Sequence, residues 1–461
     1  MNSWAGKRAC VVGAGISGRA AVDLLVAHGA VVTVVDERAE AAEAGVPAGW
    51  VDHEVACHFG FQGVLDEGFD FCVVSPGVSL AQPLVADFQS RGIPVWSELE
   101  LGWQATECPA IAITGTNGKT TTTELVASLL QDNQLQTEAA GNIGTPLSAV
   151  ASNTREWAAV TLEVSSFQLE SIDTFRPQIA VLLNLAPDHL DRHGSFEAYV
   201  RAKARMFENQ ERFDYAIIQW EAWQTLQKLG VQVPSKVLTF GIDSADADLA
   251  LEQSQVISRL PDWTGPVLDL DQCALEGGHN AENLLAALLV GRAMRLSVEE
   301  MLPALKSFRS GAHRCELVGE VGGVRFYNDS KATNPHALAS ALRSMPMGTD
   351  PKNIWLIAGG QDKGLDFHAV KPELKERVKG ALLIGESALA MEAAWNGFAA
   401  CQMSPNLVEA VAEAGRNAVP EDVVLLSPAC ASFDMFDSYQ HRGETFREVV
   451  IHWINAAGSG K

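Results

Sequence analysis

Short apolar runs, each about one strand long, recur along this 461-residue chain between longer segments rich in Ala, Leu and Glu. ACVVGAG (9–15), AVVTVVD (30–36), FCVVSPG (71–77) and AIAITGT (110–116) begin the series. AAVTLEV (158–164), QIAVLLNLA (178–186), IWLIAGG (354–360), GALLIGE (380–386) and DVVLLSPA (422–429) continue it. These runs are apolar throughout rather than at alternate positions, as in strands buried on both faces of a parallel sheet. Helices between such strands predict a doubly wound α/β protein.

The series pauses twice. IPVWSELEL, around residue 97, ends one βα series before the next begins, and FRSGAHRCE, around residue 310, follows a long Ala/Leu helix that starts near Asn280. A chain of this length is expected to hold two or three domains, and the two pauses divide it into 1–97, 98–310 and 311–461. Between 240 and 278 the pattern is less helical, and DSADAD (243–248) lacks the glycine and distal Glu of a calcium loop. This stretch reads as a hairpin-like excursion.

Composition narrows the function. A chain with 47% hydrophobic and 20% charged residues can bury ordinary cores. Its net charge of −23 opposes sequence-independent binding to nucleic acid or anionic lipid. The eight cysteines form no CxxC pair, which suits reduced thiols and a cytoplasmic location. Lys7 and Arg8 precede the apolar ACVVGAGIS, but that stretch is broken by glycines, meets Arg19 and lacks a small-x-small cleavage site, unlike a signal peptide. No apolar run approaches the ~20 residues of a membrane span.

Two glycine-rich turns carry the candidate chemistry. GAGISG matches GxGxxG, with Gly13, Gly15 and Gly18 between a strand and a helix: Gly13 permits the tight turn, Gly15 lets backbone amides approach a diphosphate, and the helix N-terminus favours its charge. Asp36 closes the next strand, and Ser75 and Gly77 end another on the same sheet edge. At face value the motif means NAD(P) and an oxidoreductase, although it signals no more than a nucleotide diphosphate. TGTNGKTT is close to a P-loop, with Ile113 where the strict pattern has its first glycine. Gly115, Gly118, Lys119 and Thr120 retain its essentials: free backbone amides, a lysine for the terminal phosphates and a hydroxyl for Mg²⁺. Glu163 ends a later strand where a magnesium-binding acid would stand, and Asn184, Asp188, His189, Asp191 and His193 follow the next one. His189 and His193, four apart, would also suit zinc, but the adjoining Gly194 points to a loop end.

In SFEAYVRAKARMFENQ, Phe196, Tyr199, Val200 and Phe207 share one helical face, with Lys203 inside the stripe and Arg201 and Arg205 opposite. Either the Lys203 amine snorkels to water, or it lies in a low-dielectric site. In the second case its pKa falls and the neutral amine can add carbon dioxide. The resulting carbamate is an oxygen donor for magnesium.

In combination these segments resemble the ATP-dependent Mur ligases of peptidoglycan synthesis. The resemblance runs through ITGTNGKTT (113–121), GNIG (141–144), LEVSSFQLE (162–170), DHLDRH (188–193) and YVRAKARMFEN (199–209). It continues through GHNAEN (278–283), AHR (312–314), NDSKATN (328–334) and LLSPACASFD (425–434). EVSSFQLE, NDSKATN and SPACASFD are most similar to the D-glutamate-adding member. The resemblance implies three α/β domains: a Rossmann-like one for UDP at 1–97, a P-loop-type mononucleotide-binding one for ATP at 98–310, and a Rossmann-like one that brings the amino acid at 311–461. The resemblance implies that UDP-N-acetylmuramoyl-L-alanine and D-glutamate are joined through an acyl phosphate made with ATP, without nucleic-acid or membrane partners and by a monomer. It implies a UDP-substrate site at Ile16, Ser17, Asp36, Arg38, Ser75, Gly77 and Asn142. The ATP site would use Gly115, Thr116, Asn117, Gly118, Lys119, Thr120, Thr121, Asn280, Asn283, Arg314, Asp329 and Lys331. Two magnesium ions would be held by Thr120, Glu163, His189 and carbamylated Lys203, with Lys119, Glu163, His189 and Lys203 as catalytic residues. Thr333, Lys363, Ser432 and Phe433 would line the D-glutamate pocket, with Ser432 opening a helix whose N-terminus suits a carboxylate. Two positions depart from the family pattern: Glu37 stands where threonine is expected, and Tyr439 where phenylalanine is. The rival readings are an oxidoreductase using GAGISG, a non-catalytic P-loop protein, and a folylpolyglutamate synthase-like ligase of the same superfamily.

Overall fold

The computed structural model describes residues 4–39, 46–66, 68–242, 244–275, 278–309, 311–361 and 365–458. Its strands gather into three sheets, each confined to one stretch of sequence.

The first sheet contains β1 (Arg8–Val12), β2 (Val31–Asp36), β3 (Ala56–Phe59), β4 (Phe71–Val74) and β5 (Val95–Ser97), in the order β3-β2-β1-β4-β5 and all parallel. The order reverses beside β1, so the turns after β1 and β4 open onto one crevice at the strands' carboxyl ends, where doubly wound sheets bind ligands.

The second sheet holds β6 (Ala110–Thr114), β7 (Ala139–Gly141), β8 (Val160–Glu163), β9 (Ile179–Leu182), β10 (Tyr215–Gln219), β11 (Lys236–Gly241), β12 (Leu249–Glu252), β13 (Gln255–Ser258) and β14 (Gly265–Asp269). Their order is β14-β13-β12-β11-β10-β9-β6-β8-β7. The 240–278 excursion is β12–β14, an antiparallel meander joined to the parallel sheet at β11. Every residue of β6, β8 and β9 is buried, which is why β9 reads as an unbroken apolar run and why even Thr161 and Glu163 of β8 lie inside.

The third sheet holds β15 (Glu316–Val321), β16 (Val324–Asn328), β17 (Ile354–Gly359), β18 (Val378–Ile384), β19 (Ala400–Met403) and β20 (Val423–Leu426), in the order β15-β16-β20-β17-β18-β19. Only β15 is antiparallel to its neighbour among these described strands. The chain up to Gln272, with Glu282–Lys306, forms one compact unit; Cys273–Ala281, with Ser307 onward, forms a second.

Within the first unit, the helix Glu98–Ala105 leads from the first sheet into the second. Ser97 caps it, its hydroxyl accepting from Glu100 N at 3.2 Å. Its two buried acids are treated differently. The Glu100 carboxylate accepts from the backbone N–H groups of Asp173, Thr174 and Phe175 and from the Thr174 hydroxyl. Glu98 Oε1 accepts from Ser148 N at 2.7 Å, whereas its buried Oε2 has no partner.

Candidate active site

The first cradle follows β1. Gly13 adopts φ 98°, a left-handed conformation that only glycine takes readily. A Cβ on Gly18 would lie 1.7 Å from the Gly13 carbonyl oxygen, so the helix Ile16–Ala27 can start this close to the turn only without a side chain there. Ser75, after β4, donates its hydroxyl to the Gly13 carbonyl at 3.1 Å, Gly77 is exposed nearby, and Ile16 is left uncovered. Asp36, at the end of β2, accepts from Ala14 N at 2.8 Å through Oδ2 and from Arg38 N and Nε through Oδ1. Burial raises this carboxyl, but the Arg38 and Ala14 hydrogen bonds outweigh it and hold the pKa at about 2. Both oxygens are thus committed to the protein itself. A dinucleotide enzyme instead turns the corresponding acid toward ribose hydroxyls, so this geometry weighs against the oxidoreductase reading. Ser17 is half-buried in the helix's first turn.

The second cradle follows β6. Register aligns Ile113 with Glu163 and Gly141 with Glu163, which brings the loops after β6, β7, β8 and β9 to one sheet edge. Gly118, at φ 82°, precedes the helix Lys119–Asp132, and a Cβ there would lie 2.5 Å from Asn283 Oδ1. The same Asn283 oxygen accepts from the Thr122 hydroxyl at 3.0 Å. Asn184 braces the loop: its carbonyl accepts from Thr116 N at 3.0 Å, and its side-chain oxygen from Asn117 N at 2.9 Å. Thr120 and Thr121 are buried in the helix's first turn. The Lys119 amine turns back onto the loop, donating to the carbonyls of Gly115 at 3.0 Å and Thr116 at 2.8 Å. Asn142 donates from Nδ2 to Glu163 Oε1 at 2.9 Å, while Glu163 Oε2 is buried without a hydrogen-bond partner. His189 has a left-handed backbone at φ 51°, a half-exposed ring and an edge contact with Phe167 at 4.8 Å.

Lys203 does not snorkel. It is 2% exposed, and its amine donates to the Gly115 carbonyl at 2.9 Å and the Thr114 hydroxyl at 3.3 Å. The α-helix is shorter than expected, Phe196–Ala204, and continues as a tighter turn through Arg205–Phe207. Burial drives the Lys203 pKa well below that of an ordinary lysine; the Lys119 charge lowers it further, and Asp188 and Glu163 oppose. The chain therefore holds a buried amine of lowered pKa, close to the charge of a carboxylate whose second oxygen has no hydrogen-bond partner, at the foot of the glycine-rich loop after β6.

Residues 7–97 match the MurD-like N-terminal domain of Mur ligases, residues 113–291 the Mur ligase middle domain, and residues 313–430 the Mur ligase glutamate ligase domain. A UDP-N-acetylmuramoylalanine–D-glutamate ligase of Koribacter versatilis is 41% identical over 449 residues, covering 96% of this chain and 97% of that protein. This chain belongs to the Mur ligase family. A ligase of the same name from Acidobacterium capsulatum is 40% identical, covering 98% of each chain. The MurF ligase of Thermotoga maritima in complex with ADP shares the fold at a TM-score of 0.61 and 17% identity, over 98% of this chain and 96% of that one. UDP-N-acetylmuramate-alanine ligase of the same organism does so at 0.60 and 18% identity, over 97% and 99%.

In the glutamate ligase domain of this Mur ligase, the predicted residues cluster after β16 and β20. Asp329 follows β16, its carboxylate accepting from the Ser427 hydroxyl at 2.8 Å and from Cys315 N at 3.3 Å. Burial pushes it up to about 7 against those hydrogen bonds. The Lys331 amine lies 5.4 Å from the centre of the Tyr439 ring, which also meets His313 edge-on. Thr333 is exposed, Ser432 is buried and Phe433 is 64% exposed. Ser432 does not open a helix, contrary to expectation. It starts a turn whose Met435 and Phe436 N–H groups donate to its carbonyl, and the helix begins at Tyr439. The helix-terminus argument for carboxylate binding at Ser432 therefore fails. Lys363 lies outside the described residues. Asn280 and Asn283 are both buried on the helix Gly278–Ala293, and Arg314 follows the left-handed His313.

One arginine escaped the sequence reading. Arg442 is 1% exposed, and its guanidinium donates to the Ser330 hydroxyl and carbonyl and to the Cys430 and Ala431 carbonyls. It fastens the loop of Asp329, Lys331 and Thr333 to the loop of Ser432 and Phe433. Its setting, YQHRGETF, is that of a polar helix face and gives no local sign of burial.

Proposed function

We propose that this Mur ligase joins D-glutamate to UDP-N-acetylmuramoyl-L-alanine in a reaction driven by ATP. The observation that carries the reading is near-full-length identity to ligases of that name, on a chain whose two glycine cradles lie in one compact unit. The first cradle, with Ile16, Ser17, Arg38, Ser75 and Gly77, would take the UDP end, and the Gly115–Thr121 loop would take the triphosphate. The terminal carboxylate of the sugar substrate attacks the γ-phosphorus, giving an acyl phosphate and ADP. The amine of D-glutamate then attacks the acyl carbon, loses a proton, and expels phosphate as the amide forms. ATP is needed because phosphate is a far better leaving group than a carboxylate oxygen.

Lys119 would leave its loop carbonyls to meet the β- and γ-phosphates. Asn142 would lie against the acyl-phosphate region, held there by Glu163. Asn280 and Asn283 would meet the adenine side; Arg314, Asp329 and Lys331 would reach nucleotide from the C-terminal domain, and Thr333, Lys363, Ser432 and Phe433 would receive D-glutamate. The residues present suit magnesium: Glu163 Oε2 is a buried hard donor without a partner, and Thr120 and His189 border the same loops. When bound, magnesium would offset the repulsion between carboxylate and triphosphate. Burial favours the uncharged form of the Lys203 amine, and in that form it would add carbon dioxide, losing one proton to become a carbamate, a further oxygen donor. ATP and a UDP-linked substrate would suit a cytoplasmic reaction, and among the described residues no helix is long and apolar enough to cross a membrane.

Phosphate release tests the reading. It should require UDP-N-acetylmuramoyl-L-alanine and D-glutamate together and fall at least about tenfold with L-glutamate or D-aspartate. Phosphate release that ignores the amino acid would refute it. With ¹³C-bicarbonate, the wild type should show a carbamate resonance that Lys203→Ala lacks; its absence from active wild type would remove the carbamate.

A further inference from the structure

Arg192 lies in the DHLDRH segment, yet no step above requires it. Its guanidinium reaches the turn after β4, beside the first cradle. Nη1 donates to the Pro76 carbonyl at 3.0 Å and Nη2 to the Val78 carbonyl at 3.1 Å, both in the turn after β4. Nη2 also meets Glu170 Oε2 at 2.7 Å, and the guanidinium carbon lies 4.0 Å from the centre of the Phe167 ring. Both side chains of the ion pair are only 18% exposed, so water and salt screen it less than an ordinary surface pair.

The contacts run on in both directions. The turn that Arg192 grips is the one whose Ser75 hydroxyl donates to the Gly13 carbonyl. On the other side, Glu170 Oε1 lies 3.4 Å from His193 Nδ1, and His193 Nε2 lies 3.0 Å from the Ser166 hydroxyl. A carboxylate only accepts, so a ring protonated at Nδ1 suits Glu170 and, when neutral, leaves Nε2 to accept from Ser166. His193 stacks on Phe167 and meets Tyr199 edge-on, and the Tyr199 hydroxyl is 3.1 Å from the Thr116 hydroxyl in the second cradle. An unbroken run of contacts therefore joins Gly13 of one cradle to Thr116 of the other.

The two cradles belong to different sheets, and the proposed reaction needs substrate carboxylate and γ-phosphorus within about 3–3.5 Å. We infer that Arg192 is a positioning residue that fixes the Ser75–Val78 turn against the Asp188–His193 segment, and so sets where the carboxylate of the UDP-linked substrate arrives. The inference rests on the ligase reading above. The planar fork matters, because lysine carries one point charge and cannot hold two carbonyls and a carboxylate in fixed directions.

Steady-state kinetics and calorimetry test this. Arg192→Ala should raise the KM for UDP-N-acetylmuramoyl-L-alanine about tenfold and lower kcat, with the KM for ATP changed less than about twofold. Arg192→Lys should recover part of the loss, and Glu170→Gln should move the same constants in the same direction by less. Calorimetric titration of nucleotide-free protein with UDP-N-acetylmuramoyl-L-alanine should show the same weakening. An unchanged KM for that substrate, or equal rises in both KM values, would overturn the inference. Should Arg192→Ala fail to fold, Arg192→Lys and Glu170→Gln decide by the same criteria. Wild type that binds the UDP-linked substrate but forms no amide would remove the ligase reading, and calorimetry on the variants would still judge Arg192.

Discussion

The joint between the first two sheets contains a buried acid whose proton can be weighed. Glu98 is 1% exposed, with Oε1 bound to Ser148 N and Oε2 partnerless. Burial pushes its pKa from 4.5 to about 7 against the opposing Ser148 hydrogen bonds. The folded-state value lies above the unfolded one, so the folded chain binds the additional proton between those pH values. Stability from the neutral carboxyl is complete below pH 4.5 and is lost as pH rises through about 7. The displacement corresponds to about 3 kcal/mol. Glu98→Gln keeps an oxygen for Ser148 N and cannot ionise. At pH 5 the wild type is neutral too, and its unpartnered O–H matches the variant's unpartnered N–H₂, so the two proteins should agree within ~1 kcal/mol. At pH 8.5 the variant should be more stable by about 2–3 kcal/mol. Urea unfolding followed by tryptophan fluorescence at both pH values measures this. The quantity compared is the first transition, since a chain of several domains need not unfold in one step. A difference independent of pH, or a variant weaker at pH 8.5 than at pH 5, would refute the reasoning.

Gly18→Ala would place a methyl 1.7 Å from the Gly13 carbonyl oxygen, so the first cradle must shift. A cost of about 1–3 kcal/mol in the melting transition is expected, with at least tenfold weaker calorimetric binding of UDP-N-acetylmuramoyl-L-alanine. Glu163→Gln replaces the proposed magnesium oxygen with an amide. The magnesium concentration giving half-maximal phosphate release should rise at least about tenfold, and an unchanged titration would remove Glu163 from the ligand set.

The sequence made the central strands plain because a strand buried on both faces has no polar positions to interrupt it. β9 and β20 are wholly of that kind, and β6 is so up to its last residue, Thr114. The edge strands β3, β15 and β19 have half-covered or exposed residues and no continuous apolar run, so pattern alone passes over them. Lys203 was legible as an anomaly, since helical spacing set a cation inside an aromatic stripe. Which way its amine turned was not, because that depends on Thr114 and Gly115, far off in sequence. Ser432 misled because a strand followed by small residues commonly leads into a helix, whereas here the Ser432 carbonyl is used to close a turn. Arg192 and Arg442 were hidden for a common reason: most of their hydrogen bonds go to main-chain carbonyls, which every residue type carries.

Lys119 resting on the carbonyls of its own loop has a consequence for ligand choice. A nucleotide whose charge stops short of the amine leaves those bonds intact and is held by backbone dipoles alone. One long enough to reach it must part the lysine from two acceptors, and does so favourably only with an anionic oxygen to replace them. In the proposed ATP site the loop would thus act as a ruler, grading incoming polyphosphates by reach before any chemistry begins.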